Sequence, residues 1–424
     1  MKSMRRLLAA VGLAVVAAGC GGVTGPQASS RDFKLYEAAS TQSAQLVAVI
    51  DSRSHAIERR LPFGTPSPDW QHLYSVSSNL LMDTDPAGGA TLKTLKLPGD
   101  YRLPPATISG LPGGLSQNGQ WLVLERFEPA STSLPSASHM VVVGTSFARQ
   151  PVRIDLTGFF EFDAISNDGQ RLYLIEHVSP TIYRVRMFNV GAGQLDPSIV
   201  FDKSDGSQAM AGLRLSGVAS PDGHSLYSMY VRDQAGPFVH ALSLDGPIAF
   251  CIDLPGSGYN HSGDGSGFHW SLALSAGGSR LYAVNAATGI VSEIDTGSDA
   301  SPKLLRSAHI GAIGPTSGLF AQDAYAKGFG ANPAVLSPDG RTLVTAGASG
   351  VVWIDTATLH ARGHALTGWR VWSLALSPDG MTVYALSDAG KIAELSMAAA
   401  QVAVSFEGAA GQPMALIRVE AAAP

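Results

Sequence analysis

Cysteine is nearly absent from this chain: two residues in 424, Cys20 and Cys251, are too few for a disulfide framework. Charge is scarce as well. Charged residues make up 15 % of the chain, the net charge is −5 and no basic run interrupts it, which argues against a nucleic-acid partner. No segment repeats apolar residues at i, i+3, i+4, so a helical solenoid is excluded. Metal and catalytic signatures are missing too. His261, Asp264 and His269 have ligand chemistry but match no zinc spacing. Asp202-Lys-Ser-Asp-Gly206 lacks the alternating acids and terminal glutamate of a calcium loop, and Gly256-Ser-Gly258 lies in a glycine-rich loop rather than on a nucleophile elbow. The sequence predicts no metal, no cofactor and no catalytic residue.

Glycine, in contrast, is abundant at 47 residues, and a turn is built on it. A serine, a short polar or proline-containing step, usually a glycine, and then Leu or Val followed by Tyr or Val recurs from Ser67, Ser116, Ser166, Ser220, Ser275, Ser337 and Ser377, at intervals of 40–62 residues. In Ser337-Pro338-Asp339-Gly340 and Ser377-Pro378-Asp379-Gly380 the proline presets φ, the aspartate caps its own backbone and the glycine accepts positive φ, which is hairpin chemistry. Apolar runs of strand length, such as Trp270 to Leu274 and Val371 to Leu376, lead into the turns. Each interval suits one four-stranded blade. The predicted fold is an all-β, seven-bladed β-propeller of four-stranded antiparallel blades, with eight blades left open.

The units Leu336-Ser-Pro-Asp-Gly340 … Gly350-Val-Val-Trp-Ile-Asp355-Thr-Ala-Thr358 and Leu274-Ser-Ala-Gly-Gly278 … Gly289-Ile-Val-Ser-Glu-Ile-Asp295-Thr-Gly297 resemble the YVTN-type bacterial β-propeller repeat, a relative of WD repeats. The likeness spans residues 46 to 420. Trp70 departs from it by replacing the turn glycine, as does Ala276-Gly277 by replacing Pro-Asp, and the Gly-His and Trp-Asp signatures of eukaryotic WD repeats are absent. Similar repeats occur in surface proteins, binding lipoproteins and lactonase-like enzymes, so the resemblance implies the fold and leaves both a binding and a hydrolytic role open.

Two expectations concern the ends of the chain. Lys2, Arg5 and Arg6 precede an apolar stretch from Leu7 to Ala18, too short for a lasting membrane span, and Ala17-Ala18-Gly19-Cys20 resembles a bacterial lipobox. Residues 1–19 are read as a signal peptide, Cys20 as the lipidation site, 20–45 as a lipidated N-terminus and flexible tether, and 46–424 as one propeller domain. A plain secretory signal is the alternative. Cys251, in the apolar run Ala249 to Asp253, is read as a buried small hydrophobe. Pro413 to Glu420 is a surplus strand, expected to complete the blade of Ser67, which has only Phe63-Gly-Thr-Pro before its turn. The N-terminal pair Leu46 to Asp51 and Ala56 to Pro62 is the other candidate clasp.

In a propeller the Ser-Pro-Asp-Gly turns occupy one face, so the longer connections Leu254 to Phe268, Thr296 to Ala331 and Glu128 to Ser138 share the other, around the channel mouth. Long connections in compact domains often carry function. Beneath them the inner strands begin with Glu161, Arg214, His269, Trp270, Asn332 and Trp372. Convergence of these side chains would make a site for a small polar or anionic ligand, with Arg214 as charge partner and the tryptophans as stacking platforms. The same residues also serve blade packing and channel plugging in such a fold. The sequence thus predicts a monomeric cell-envelope lipoprotein, facing outside the cytoplasm and touching the membrane only through its lipid, which binds a protein, glycan or small-molecule ligand. The alternative is a lactonase-like hydrolase, for which Glu161, Asp163 and His269 are the available acid–base groups.

Overall fold

The computed structural model describes residues 32–105, 113–128, 134–179, 182–202, 210–261, 265–297, 301–311, 333–347 and 349–422. Their strands form eight blades rather than seven. The first unites the C-terminal strand Gln412–Ala421 with Phe33–Ser40, Gln45–Asp51 and Ile57–Pro62. The second is Thr65–Pro66, Leu73–Ser77, Leu80–Thr84 and Thr91–Lys96, and the third is Trp121–Phe127, Ala137–Gly144 and Val152–Thr157. In that third blade the inner edge is met by the isolated bridges Arg102↔Glu125 and Leu115↔Leu122 and by the Val123 amide donating to the Gly114 carbonyl at 2.8 Å. The fourth is Phe159–Ile165, Arg171–His177, Ile182–Asn189 and Gln194–Asp202; the fifth is Leu213–Ala219, Ser225–Val231, Phe238–Ser243 and Ile248–Asp253. Trp270–Leu274, Arg280–Asn285, Ile290–Asp295 and Lys303–His309 make the sixth, and Ala334–Leu336, Thr342–Gly347, Gly350–Asp355 and His360–Ala365 the seventh. The eighth is Val371–Leu376, Thr382–Ser387, Lys391–Ser396 and Val402–Glu407.

The extra blade comes from a strand that composition concealed. Phe33–Ser40 lies within the stretch read as a tether, and it carries Lys34 and Glu37 among its apolar residues. Its neighbours on both sides bury it almost throughout, and Lys34 is neutralised by Asp51 at 2.7 Å and Glu58 at 2.5 Å. The surplus C-terminal strand pairs with it, from Phe33↔Ala421 to Ser40↔Gln412. The blade of Ser67 needs no such donation, because Thr65–Pro66 supplies a two-residue inner strand of its own. Closure between the two ends of the chain covers what would otherwise be an open inner edge at Phe33–Ser40.

The recurring serine organises each turn. Ser337 Oγ donates to Asp339 Oδ1 at 2.6 Å and accepts the Thr342 amide at 2.9 Å, and Ser377 repeats both bonds with Asp379 and Thr382. The turn glycine serves twice. Gly380 has φ 71°, and a Cβ there would fall 2.6 Å from Pro338 of the preceding blade, so both backbone conformation and blade-to-blade approach require glycine. Trp70 occupies the same left-handed position with φ 59°, at a cost of roughly 1–2 kcal/mol. Its buried ring stands beneath the Arg418 guanidinium, 5.7 Å from it, and against Tyr36 of the closing blade, which offsets that strain by burying a large aromatic surface.

Hydrophobic clusters lie mainly between neighbouring blades. Tyr384, Leu386 and Ile392 of the eighth pack with Leu35, Ile50 and Leu416 of the first, so the core grows with the perimeter of the ring and escapes the usual size limit of one core. The fourth and fifth blades are additionally joined at their outer strands, where Phe201 and Asp202 pair in parallel with Ile248 and Ala249.

Candidate functional site

Inner strands run from a rim of connections to the rim of serine turns. Four connections that join strand ends on the first rim are long in sequence: 97–112 between the second and third blades, 203–212 between the fourth and fifth, 254–269 between the fifth and sixth, and 310–333 between the sixth and seventh. The others, such as Gly158 and 408–411, are short.

Beneath that rim the sequence-derived candidates are placed separately. Glu161, on Phe159–Ile165, is buried and hydrogen-bonds His177 Nε2 at 2.6 Å within its own blade. The His177 ring stacks on Phe159 at 4.4 Å, Phe159 stands edge-on to Phe127 at 5.1 Å, and Arg102 covers Phe127 at 5.0 Å. Asp163 occupies a bulge between Phe162 and Ala164 and forms an ion pair with Arg214 of the next blade. Arg214 is only 4 % exposed, so its charge is spent between blades. Tyr183 and Tyr230 stack beside this pair with centroids 5.8 Å apart, and burial pushes both phenols well above their ordinary range.

The remaining candidates follow the same pattern. Trp270 is buried among Leu254, Leu272 and Leu281, packing rather than projecting. His269 ends the single-turn helix Ser266–Phe268 and is half-buried, its carbonyl accepting the Ala286 amide at 3.2 Å. Trp372 stands in a bulge between Val371 and Ser373, half-buried, its indole N–H donating to the Met414 carbonyl at 2.6 Å. Asn332, Cys20 and Asp264 lie outside the described residues. Cys251 is half-buried rather than buried. Glu161 and Asp163 are thus held in two different pairs, with His177 and with Arg214, and among the described residues no group of three or more acidic, His or Cys side chains is arranged to hold a metal.

Two glutamates went unnoticed in the sequence. Glu37 is fully buried, accepts the Ala409 amide at 2.6 Å and is pushed up to about 7 by burial, partly offset by that bond. Glu394 is 8 % exposed and is likewise pushed up to about 7 by burial, against the hydrogen bond from the Tyr384 hydroxyl. The available signal for Glu394 was its register: it stands opposite the tyrosine that follows the recurring turn.

No family model matches the chain, and no curated protein matches it in sequence. Solved structures do share its shape. The dihydro-heme d1 dehydrogenase NirN in complex with DHE superposes with a TM-score of 0.53 at 13 % identity, over 90 % of this chain and 74 % of that one. The chain is a β-propeller. The periplasmic gluconolactonase PpgL of Pseudomonas aeruginosa gives a TM-score of 0.46 at 18 % identity, over 93 % of this chain and all 100 % of that one. At such identities the likeness concerns fold alone. Among the described residues no helix is long and apolar enough to cross a membrane.

Proposed function

We propose that this propeller is an exported, lipid-anchored binding module, monomeric, with its partner or ligand held on the rim of long connections. The observation that carries this reading is how the acid–base candidates are spent. Glu161 is tied to His177 and Asp163 to Arg214, both in buried structural pairs, while the long connections join strand ends on the rim above them. His269 and Trp372, half-buried at the mouth, are the sequence-derived candidates with surface left to offer. The basic segment around Lys2, Arg5 and Arg6 and the small residues before Cys20 support export and lipidation. A protein, glycan or small ligand suits such a surface.

Three measurements test the reading. A photo-reactive amino acid at Arg102, 62 % exposed on the connection rim, should capture the partner in intact cells, and one at Asp168 on the turn rim should not. Reversed capture would move the binding face. Purified protein should leave a sugar lactone at its spontaneous hydrolysis rate in a pH-stat; turnover would establish the lactonase-like alternative. Cys20→Ser should shift the protein from the membrane to the soluble fraction, and an unmodified mature N-terminus in the wild type would refute lipidation.

A further inference from the structure

The blades carry their own internal comparison. Opposite the tyrosine after the recurring turn, three blades place a carboxylate: Asp83 faces Tyr74, Glu293 faces Tyr282 and Glu394 faces Tyr384. In the second blade His72 Nδ1 lies 2.9 and 3.0 Å from the two Asp83 oxygens. In the sixth, Arg306 Nε donates to Glu293 at 2.7 Å and Arg280 lies at 3.5 Å. The eighth blade keeps the acid and replaces both bases. Thr382 stands where the second and sixth blades have His72 and Arg280, and Val404 stands opposite Glu394 where Arg306 stands opposite Glu293.

Glu394 also borders an opening that the arrangement of blades provides. A cavity of about 580 Å³ lies between the seventh and eighth blades on the turn rim, lined by Glu394, Asp339, Asp355, Asp379, Arg341 and Arg362 among others. That size suits a small ligand or a single side chain with its flanking backbone. Arg362 is occupied elsewhere, since its Nη2 donates to Thr342 Oγ1 at 2.8 Å and to the Met397 carbonyl at 3.4 Å. Four carboxylates thus share the cavity with two guanidinium groups, and where Glu293 is met by Arg306 and Arg280, Glu394 is met by the Tyr384 hydroxyl and, among the described residues, by no basic side chain within ion-pair distance. A buried carboxylate without a cation is costly, and a charge-assisted bond from a donor would relieve that cost.

We propose that this inter-blade cavity binds a guanidinium or primary ammonium group of a ligand, which meets Glu394 as Arg306 meets Glu293 within the sixth blade. The site is on the rim opposite the binding face proposed above and does not depend on it. Two sources supply the chemistry, a free amine or a basic side chain of a peptide.

Calorimetric titration of the full-length protein at pH 8 separates them, with agmatine as the free amine and the peptide acetyl-Gly-Arg-Gly-amide as the side chain. The same peptide with citrulline in place of arginine is the uncharged control. Binding by agmatine alone assigns a small amine; binding by the arginine peptide assigns a basic segment. In either case the citrulline peptide should fail to bind and Glu394→Gln should weaken binding at least tenfold without lowering the melting temperature. Val404→Arg, which installs an internal cation, should exclude the ligand to a similar extent. If neither cationic probe binds the wild type, or if either variant binds as the wild type does, the proposal is wrong.

Discussion

Trp372 donates its indole N–H to the main-chain carbonyl of Met414, 2.6 Å away, and in doing so ties the inner strand of the eighth blade to the C-terminal strand that closes the ring. The residue offered by the sequence as a stacking platform is also a fastening. Trp372→Phe should therefore lower stability by about 1–2 kcal/mol, the range for a lost hydrogen bond that leaves a partly buried carbonyl unmet. Urea unfolding measures this, and an unchanged midpoint would show that the bond contributes nothing.

Removing residues 412–424 should have a far larger effect. It strips Phe33–Ser40 of its inner partner from Phe33↔Ala421 to Ser40↔Gln412 and exposes that strand as an open sheet edge. The expected result is aggregation or loss of a cooperative thermal transition. A truncated protein that melts like the intact one would mean that the ring closes by other contacts.

The Asp163–Arg214 pair should behave as a buried ion pair. Arg214→Met leaves Asp163 charged between two blades and should cost about 3–5 kcal/mol, whereas Asp163→Leu combined with Arg214→Met should recover most of that loss. A double variant no more stable than the single one would place the importance of Arg214 in its packing rather than its charge.

The repeat made the fold legible, because its serine, aspartate and glycine have one physical task in every copy. Blade number was less legible. Closure depends on pairing between residues nearly the whole chain apart, and Phe33–Ser40 was masked by Lys34 and Glu37, whose charges are satisfied or buried only once the ring forms. The candidate site was legible in position but not in role. Phase along an inner strand does not reveal the bulges at Asp163 and Trp372, and those bulges coincide with the contacts to the neighbouring blades. Glu394 was overlooked because its surroundings matter only by contrast with Glu293, a comparison that requires the strand register.

Stability should fall as pH rises from about 4.5 to beyond 7. Glu37 and Glu394 are raised from an ordinary 4.5 to about 7 by burial, so between those values the folded chain holds protons that the unfolded chain releases. Their contribution is complete below 4.5 and lost as pH passes 7, at most on the order of a few kcal/mol each. The groups facing them are the Ala409 amide on Glu37, and on Glu394 the Tyr384 hydroxyl, with Asp339, Asp355, Asp379, Arg341 and Arg362 around its cavity. Asp51, held far below its usual range chiefly by Lys34, acts in the opposite sense at more acidic pH. Melting temperatures at pH 5 and 8 should differ less in Glu37→Gln and Glu394→Gln than in the wild type; equal differences would locate the dependence in other groups.

The pairing of Phe33 with Ala421 also gives the ring a direction. Phe33 accepts the Ser52 amide at 2.9 Å beside the turn that leads to Ile57–Pro62, and Asp32 accepts the Ala422 amide at 2.8 Å. Both ends of the described chain consequently meet on the rim of serine turns. About a dozen residues separate Cys20 from that point, a reach of at most ~40 Å when extended. With a lipid on Cys20, the turn rim is leashed toward the bilayer and the long connections look away from it, toward whatever diffuses past the surface.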